Sequence, residues 1–150
     1  MTTSRRRFLA MVGAGAAMAA GAPLAAETAI RRIAFLPVGS IADVEQALKQ
    51  AGCRRTLLWF RADWDVGSIE LSQTTFADQK VIAALADTRC LVVDVTDDSD
   101  DDKALMEHFG IFGPPTFVLF DKKGRRLDEN IVGYLPPEKF VVRIEEAFGN

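Results

Sequence analysis

Asp65 and Ser68 are the residues whose types and spacing most suggest chemistry. They lie three positions apart in "FRADWDVGSIELSQTTF" (60–76), where an apolar run gives way to a helical stretch. A nucleophile at a helix N-terminus is activated by the helix dipole. The Ser68 hydroxyl has no accessible anion, however, and no evident base beside it. We therefore expect Asp65 to cap a helix; an acid or metal site of Asp63, Asp65 and Glu70, with no histidine nearby, is the functional alternative.

Cys53 and Cys90 are the only two thiols of the 150 residues. Their spacing matches no redox motif. Two separate buried thiols are the default expectation for such residues. A structural disulfide between Cys53 and Cys90, formed after export, and a catalytic role for either thiol are the alternatives that the sequence leaves open.

The N-terminus has the pattern of an export signal. Arg5 and Arg6 begin a basic stretch, an Ala/Gly-rich apolar run follows, and small residues precede a cut near Ala26. We predict a twin-arginine-type signal over 1–26 and a single domain over 27–150. An ordinary secretory signal would lead to the same compartment, the periplasm, and an uncleaved anchor is a further alternative.

Composition narrows the function classes. Removing 1–26 takes away three arginines and no acid, which leaves 15 basic and 21 acidic residues and a formal charge of −6. No basic patch with interleaved aromatics is present, so we expect no nucleic-acid partner, and no internal membrane span is predicted.

The acidic run 97–103 does not match the EF-hand calcium-binding loop, because Lys103 and Phe109 stand where that loop needs Gly and Glu. We expect no metal and no cofactor.

Hydrophobic patterning predicts an α/β fold. An N-terminal extension (30–52) ends in a helix from Ile41, with Ser40 as its candidate N-cap. The predicted order after it is strand, helix, strand, helix, two strands and helix. These elements cover 56–60, 68–86, 90–95, 100–110, 114–120, 126–134 and 136–148. The second helix is expected to break near 74–78. Two strand–helix–strand crossovers predict parallel strands, and the final hairpin adds an antiparallel edge. The result is a mixed sheet with helices on both faces, the thioredoxin-type arrangement.

Three segments carry a specific resemblance. "ADWDVGSIELSQTTFADQKVIAALADT", "DVTDDSDDDKALMEHFGIFGPPTFVLFD" and "VGYLPPEKF" resemble the C-terminal, periplasmic thioredoxin-like domain of the DsbD family of thiol:disulfide interchange proteins. The likeness covers about 35–148 and implies a thioredoxin-like fold. In that family Ala-Asp-Trp is followed by Cys-x-x-Cys. In this chain Asp65 stands at the first cysteine position and Ser68 at the second.

The resemblance implies a degenerate site. Thiol–disulfide exchange needs an attacking thiolate and a resolving thiol, so neither Asp65 nor Ser68 can run the family reaction, and no catalytic residue is expected. Asp63 matches an acid that the family uses for proton handling. Without a thiol beside it, we expect Asp63 to be a retained, partly buried structural acid.

The resemblance also implies a binding groove. Pro115 and Thr116 match the family's Pro-Thr pair, so we expect Pro115 to be cis and to lie beside Asp65. The preceding residue, which pairs with a bound peptide in the family, is Pro114 and has no N–H. Trp64, Phe112, Pro114, Pro115 and Thr116 are the predicted groove residues.

These observations favour an exported thioredoxin-fold protein without the redox motif. Its expected role is that of a non-catalytic module that binds a protein or peptide partner, or serves as an accessory, in the cell envelope. The alternative is a thiol–disulfide oxidoreductase that acts through Cys53 or Cys90 or with a partner's thiols. A third possibility is a subunit of a larger periplasmic assembly.

Overall fold

A computed structural model describes residues 32–149. The regular elements in chain order are β1 (Phe35–Pro37), α1 (Ile41–Lys49), β2 (Arg55–Arg61), α2 (Val66–Gln73), a 3₁₀ turn (Thr75–Ala77), α3 (Gln79–Ala84), β3 (Thr88–Asp94), α4 (Asp100–Phe109), β4 (Thr116–Phe120), β5 (Ile131–Val132) and α5 (Pro137–Phe148). The predicted export signal (1–26) lies outside the described residues. Within the described part of the chain, none of the helices is long and apolar enough to cross a membrane.

One five-stranded mixed sheet organises these elements in the order β1-β3-β2-β4-β5. β3 runs parallel to both β1 and β2, with Leu58 opposite Leu91 in the central pair. β4 runs antiparallel to β2, and β5 continues antiparallel to β4. The carboxyl ends of β2 and β3 and the start of β4 therefore share one end of the sheet.

Alternating side chains of β2 supply two cores, one on each face of the sheet. Leu58 and Phe60 face a cluster completed by α1 and α4. Leu57 and Trp59 face a second cluster that includes side chains of α2, α3 and α5. Burying one such large apolar side chain stabilises the fold by roughly 1.5–3 kcal/mol. The predicted α/β class, with helices on both faces of a mixed sheet, is confirmed.

Local signals set the helix boundaries. Ser40 caps α1 by accepting a hydrogen bond from the Asp43 amide at 3.1 Å, as its position before the periodic run predicted. The expected break in the second helix is also present: α2 ends at Gln73, and Asp78 caps α3 through the Lys80 amide at 2.8 Å. Hydroxyl and carboxylate side chains favour such cap positions because they satisfy otherwise unpaired amides.

The direction of β4 corrects one prediction. The crossover from β3 through α4 was expected to give a parallel strand, but β4 pairs antiparallel with β2, with Phe60 opposite Thr116. Pro115 lies against Gly67 at the N-terminus of α2, so the chain enters β4 at the end where β2 and β3 finish. The short edge strand β1 was not predicted as a strand either, because it is only three residues long.

Candidate functional site

Asp65 caps α2 and binds Ser68 twice. Its Oδ2 accepts a hydrogen bond from the Ser68 amide at 2.7 Å and a second from the Ser68 Oγ, also at 2.7 Å. Asp65 has the extended backbone conformation of an N-cap residue. Asp65 and Ser68, which the resemblance aligns with two cysteines, are therefore joined by hydrogen bonds rather than by a covalent bond.

The Ser68 hydroxyl is held in the interior. Its side chain is fully buried, and its Oγ accepts a hydrogen bond from the Ala62 amide at 3.4 Å while donating to Asp65. Both functions of the hydroxyl are thus occupied by the protein itself. A buried hydroxyl whose hydrogen bonds are satisfied stabilises a loop, and it offers no exposed atom for attack on a substrate.

Gly67 sits where α2 meets the strand β4. A Cβ placed on Gly67 would lie 3.1 Å from the Pro115 ring and 3.4 Å from Asp65 Oδ2. Pro115 and the Asp65 carboxylate therefore flank the same glycine, and the Pro114–Pro115 peptide bond is cis. Both expectations for Pro115, its cis bond and its place beside Asp65, are confirmed. The close approach explains why a residue without a side chain occupies position 67.

The predicted groove residues differ in accessibility. Trp64 is 61% exposed and Phe112 is fully exposed, whereas Pro114 is half-buried and Pro115 and Thr116 are buried. The Pro115 carbonyl already accepts a hydrogen bond from the Gly133 amide at 2.9 Å. The open surface of the groove thus consists of the two aromatic side chains and Pro114, with Pro115 and Thr116 as its floor.

Two further exposed apolar residues adjoin the groove and were missed from the sequence. Val66 precedes Gly67, and Val132 pairs with Thr116 in the β4–β5 ladder. The position of Val132 in the predicted strand 126–134 was the available signal for it. We call the following four exposed side chains, which come from segments that meet at Pro115, the apolar rim: Trp64, Val66, Phe112 and Val132.

Asp63 is exposed, which corrects the expectation of a partly buried acid. Its side chain is 71% exposed and forms an ion pair with Arg61. Side chains two residues apart in an extended segment point to the same side, so the Arg61-x-Asp63 spacing was the signal for this pair. Arg61 also pairs with Asp94. The pair of charges holds Asp63 at the surface, away from Ser68.

Thr96 links this ion-paired group to the rim. Its Oγ1 accepts a hydrogen bond from the Asp63 amide at 2.9 Å, and its carbonyl accepts one from Trp64 Nε1 at 3.2 Å. Thr96 also donates to Asp94. Burial alone would raise the pKa of Asp94, but the hydrogen bonds from Thr96 and the Arg61 guanidinium lower that pKa overall. The turn after β3 therefore fixes the orientation of Trp64.

The two cysteines stand apart from this site. Cys53 is exposed in the turn before β2, Cys90 is buried in β3, and both are free thiols rather than the disulfide kept open as an alternative. Burial raises the pKa of the Cys90 thiol to about 12. The default of two buried thiols thus holds only for Cys90.

Within 32–149, no cluster of three acidic, histidine or cysteine side chains is arranged to hold a metal ion, so Asp63, Asp65 and Glu70 do not form such a group.

Comparison with known proteins agrees with this architecture. A family model described as a thioredoxin-like domain matches residues 41–148. The chain therefore belongs to the thioredoxin-like domain family.

Its relatives include thiol:disulfide interchange proteins named DsbD. The protein from Ralstonia nicotianae is 39% identical over 121 residues, covering 79% of this chain and 20% of the relative. The protein from Klebsiella pneumoniae is 35% identical over 127 residues, covering 84% of this chain and 21% of the relative. The crystal structure of the oxidised C-terminal domain of Neisseria meningitidis DsbD superimposes with a TM-score of 0.63 at 26% identity, covering 76% of this chain and 99% of that one. The chain thus spans about a fifth of the length of the curated relatives it matches.

Proposed function

We propose that this protein is a docking module of the bacterial cell envelope that binds a protein or peptide partner at the apolar rim and does not exchange disulfides there. The observation that carries the proposal is the Asp65–Ser68 pair. It retains the position of a disulfide-exchange site while its atoms are a carboxylate and a buried hydroxyl, joined at 2.7 Å. Neither atom can form the mixed disulfide that exchange requires.

The exposed aromatics support the binding half of the proposal. Soluble proteins rarely present clustered large apolar side chains unless they contact a partner. The Phe112 side chain is fully exposed and Trp64 is 61% exposed, although both flank a rigid floor of Pro115 and Thr116. Such aromatic side chains are the type that contributes most at protein interfaces. An exposed aromatic surface beside a site that has no thiol favours binding of a partner over catalysis.

Export to the periplasm, by the twin-arginine pathway, belongs to the same proposal. It is motivated by the basic and apolar pattern of 1–26, which lies outside the described residues, and by the resemblance to periplasmic domains. A fusion of 1–26 to a reporter that is active only after export would test it. Loss of export upon Arg5→Lys/Arg6→Lys would identify the twin-arginine route.

Insulin reduction by dithiothreitol is the direct test of the missing activity. The protein without its first 26 residues should give the uncatalysed rate, because no thiol is present at the site. A thioredoxin assayed in parallel sets the scale. A rate similar to that of the thioredoxin would overturn the proposal.

Partner capture tests the binding half. A crosslinker applied to periplasmic extract should join the protein to a partner, and Trp64→Ala should abolish that product. Val142→Ala is the matched control, since Val142 is a half-exposed apolar residue on α5 away from the rim. Equal capture by the wild-type protein and Trp64→Ala would place the contact elsewhere.

Cys53 carries the second candidate function, thiol–disulfide exchange with a disulfide of a partner. The observation in its favour is its exposure, whereas Cys90 is buried with its pKa raised to about 12. Attack of the Cys53 thiolate on an added disulfide would form a mixed disulfide and release one thiol. Cys53→Ser should abolish that mixed disulfide, and Cys90→Ser should leave it intact. Unchanged exchange in Cys53→Ser would eliminate this route.

A further inference from the structure

We infer that the segment docked at the apolar rim is a cationic one, in which apolar side chains are flanked by lysine or arginine. The inference rests on the proposed docking function and names the chemistry of its partner. Two observations carry it: the exposed apolar side chains around Pro115 and the sign of the charges that surround them.

The rim offers a contact surface that the chain does not cover itself. Trp64, Val66, Phe112 and Val132 are each more than 60% exposed. They are attached to elements fixed by short-range contacts, such as the Trp64 Nε1 hydrogen bond to the Thr96 carbonyl at 3.2 Å. A surface that is rigid and apolar before binding favours a partner with apolar side chains, because little ordering is needed on this side.

Four stretches at this end of the sheet contain no lysine or arginine, although the mature chain has 15 basic residues: 62–79, 94–102, 104–121 and 127–138. The first of these follows β2, the second follows β3, the third leads into β4 and the last contains β5. Acidic residues therefore outnumber basic ones around the rim, and the bases that adjoin these stretches include Arg61, at the end of β2, and Lys103, in α4.

Two of these basic residues are already paired with acids. Arg61 forms ion pairs with Asp63 and Asp94, and Lys103 Nζ lies 3.5 Å from Asp98 Oδ2. Glu70 and Asp97 are exposed, and neither forms an ion pair with a described residue. Asp97 directly follows Thr96, whose carbonyl holds Trp64, so an unpaired carboxylate stands beside the rim.

The opposite end of the sheet has the opposite charge. Arg54 and Arg55 precede or begin β2, and Arg89 lies near the start of β3. None of the three forms an ion pair with a residue in 32–149. A molecule with separated charges orients an incoming charged partner before contact. A cationic segment is thus directed to the rim and an acidic one to the far end.

The test uses two synthetic peptides that share one apolar core and contain no tryptophan. One peptide is flanked by lysines and the other by glutamates. Trp64 is the reporter, because it is exposed while the second tryptophan, Trp59, is only 4% exposed. At low salt we expect the lysine-flanked peptide to bind at least ~10-fold more tightly, with the advantage lost near 1 M salt, where charges are screened over about 3 Å.

Paired variants separate the charge from the apolar contact. Glu70→Gln/Asp97→Asn should remove the preference for lysine flanks, whereas Glu145→Gln on α5 should preserve it. Phe112→Ser should weaken both peptides, and Val142→Ser should weaken neither. All five positions are solvent-exposed, so the variants are expected to fold.

The outcomes distinguish this inference from the function on which it rests. Equal binding of both peptides that is sensitive to Phe112→Ser would overturn the cationic partner and retain the docking surface. Binding of neither peptide, or binding that Phe112→Ser leaves unchanged, would overturn docking at the rim as well. Tighter binding of the glutamate-flanked peptide would overturn the charge argument outright.

Discussion

Two pairs of residues in this protein each meet only part of what disulfide exchange requires. Asp65 and Ser68 lie at a helix N-terminus beside a cis-proline, but neither has a sulfur atom. Cys53 and Cys90 are thiols, but they lie elsewhere: Cys53 is exposed in a turn and Cys90 is buried in β3. Neither pair combines an accessible thiol with a helix N-terminus and a resolving thiol.

The comparison separates the position, a helix N-terminus beside a cis-proline, from the accessible thiols that disulfide exchange requires. The Asp65 carboxylate satisfies the Ser68 amide and hydroxyl at 2.7 Å each, so the first turn of α2 remains closed in the absence of a disulfide. Hydrogen bonds hold this turn, and Pro115 packs against it at Gly67. Four measurements on Asp65, Cys53 and Cys90 test this contrast.

Thiol reactivity should separate the two cysteines by orders of magnitude. The thiolate is the reactive form, and Cys90 is buried with its pKa raised to about 12, whereas Cys53 is exposed. In the native protein an aromatic disulfide reagent should modify one thiol quickly, and in denaturant it should modify two. Cys53→Ser should remove the fast phase. Rapid modification of two thiols in the native state would show that Cys90 is accessible.

The helix cap at Asp65 should contribute more to the free energy of unfolding than an ordinary helix cap does. Asp65→Ala should lower the free energy of unfolding by roughly 1–2 kcal/mol, because it leaves the Ser68 amide without its acceptor and the buried hydroxyl without a partner for its proton. Ser40→Ala is the matched control, since Ser40 caps α1 through a single amide. Urea unfolding would measure both. A smaller loss for Asp65→Ala than for Ser40→Ala would contradict the structural role given to the carboxylate.

Alkaline pH should destabilise the protein through Cys90. Its folded pKa of about 12 lies above the ordinary value of 9.0, so the folded state keeps a proton that the unfolded state releases. Stability from this group is complete below pH 9 and falls between pH 9 and 12, by about 1 kcal/mol at pH 10. Cys90→Ala should flatten this part of the pH profile, whereas Cys53→Ala should not. Identical profiles for the wild-type protein and Cys90→Ala would be the contrary result.

Cys53 should be replaceable with a small gain. Its backbone has a φ of 62°, a left-handed conformation that disfavours residues with a Cβ. Cys53→Gly relieves this strain at some cost in chain entropy, so the net gain should be about 0.5 kcal/mol. Thermal unfolding of Cys53→Gly and Cys53→Ser would measure it, with no gain expected for serine. A loss of stability on Cys53→Gly would indicate that the thiol makes a contact of its own.

Local features of this fold were accessible from the sequence. Ser40 and Asp65 were predicted as caps because a short polar side chain before an apolar period satisfies free amides. The cis bond at Pro115 came from the family resemblance. Each of these depends on a few neighbouring residues, and the structure confirms all three.

Non-local features were less accessible. The direction of β4 depends on the end of the sheet to which α4 returns the chain, and a local sequence pattern does not specify that end. Asp63 is exposed because it pairs with Arg61, a contact that the residue type of Asp63 alone does not reveal. The apolar rim gathers side chains from segments as distant as Trp64 and Val132, so no single stretch of sequence displays it.

Restoring the sulfurs at positions 65 and 68 tests whether this site keeps the geometry of a disulfide-exchange site and lacks only its reactive atoms. Asp65→Cys/Ser68→Cys, in a Cys53→Ser background that removes the exposed thiol, should form an intramolecular disulfide and catalyse insulin reduction well above the background rate. The Cys53→Ser protein alone should remain at the background rate. Failure of the double variant to form the disulfide while still folded, or insulin reduction by the Cys53→Ser protein, would contradict the account.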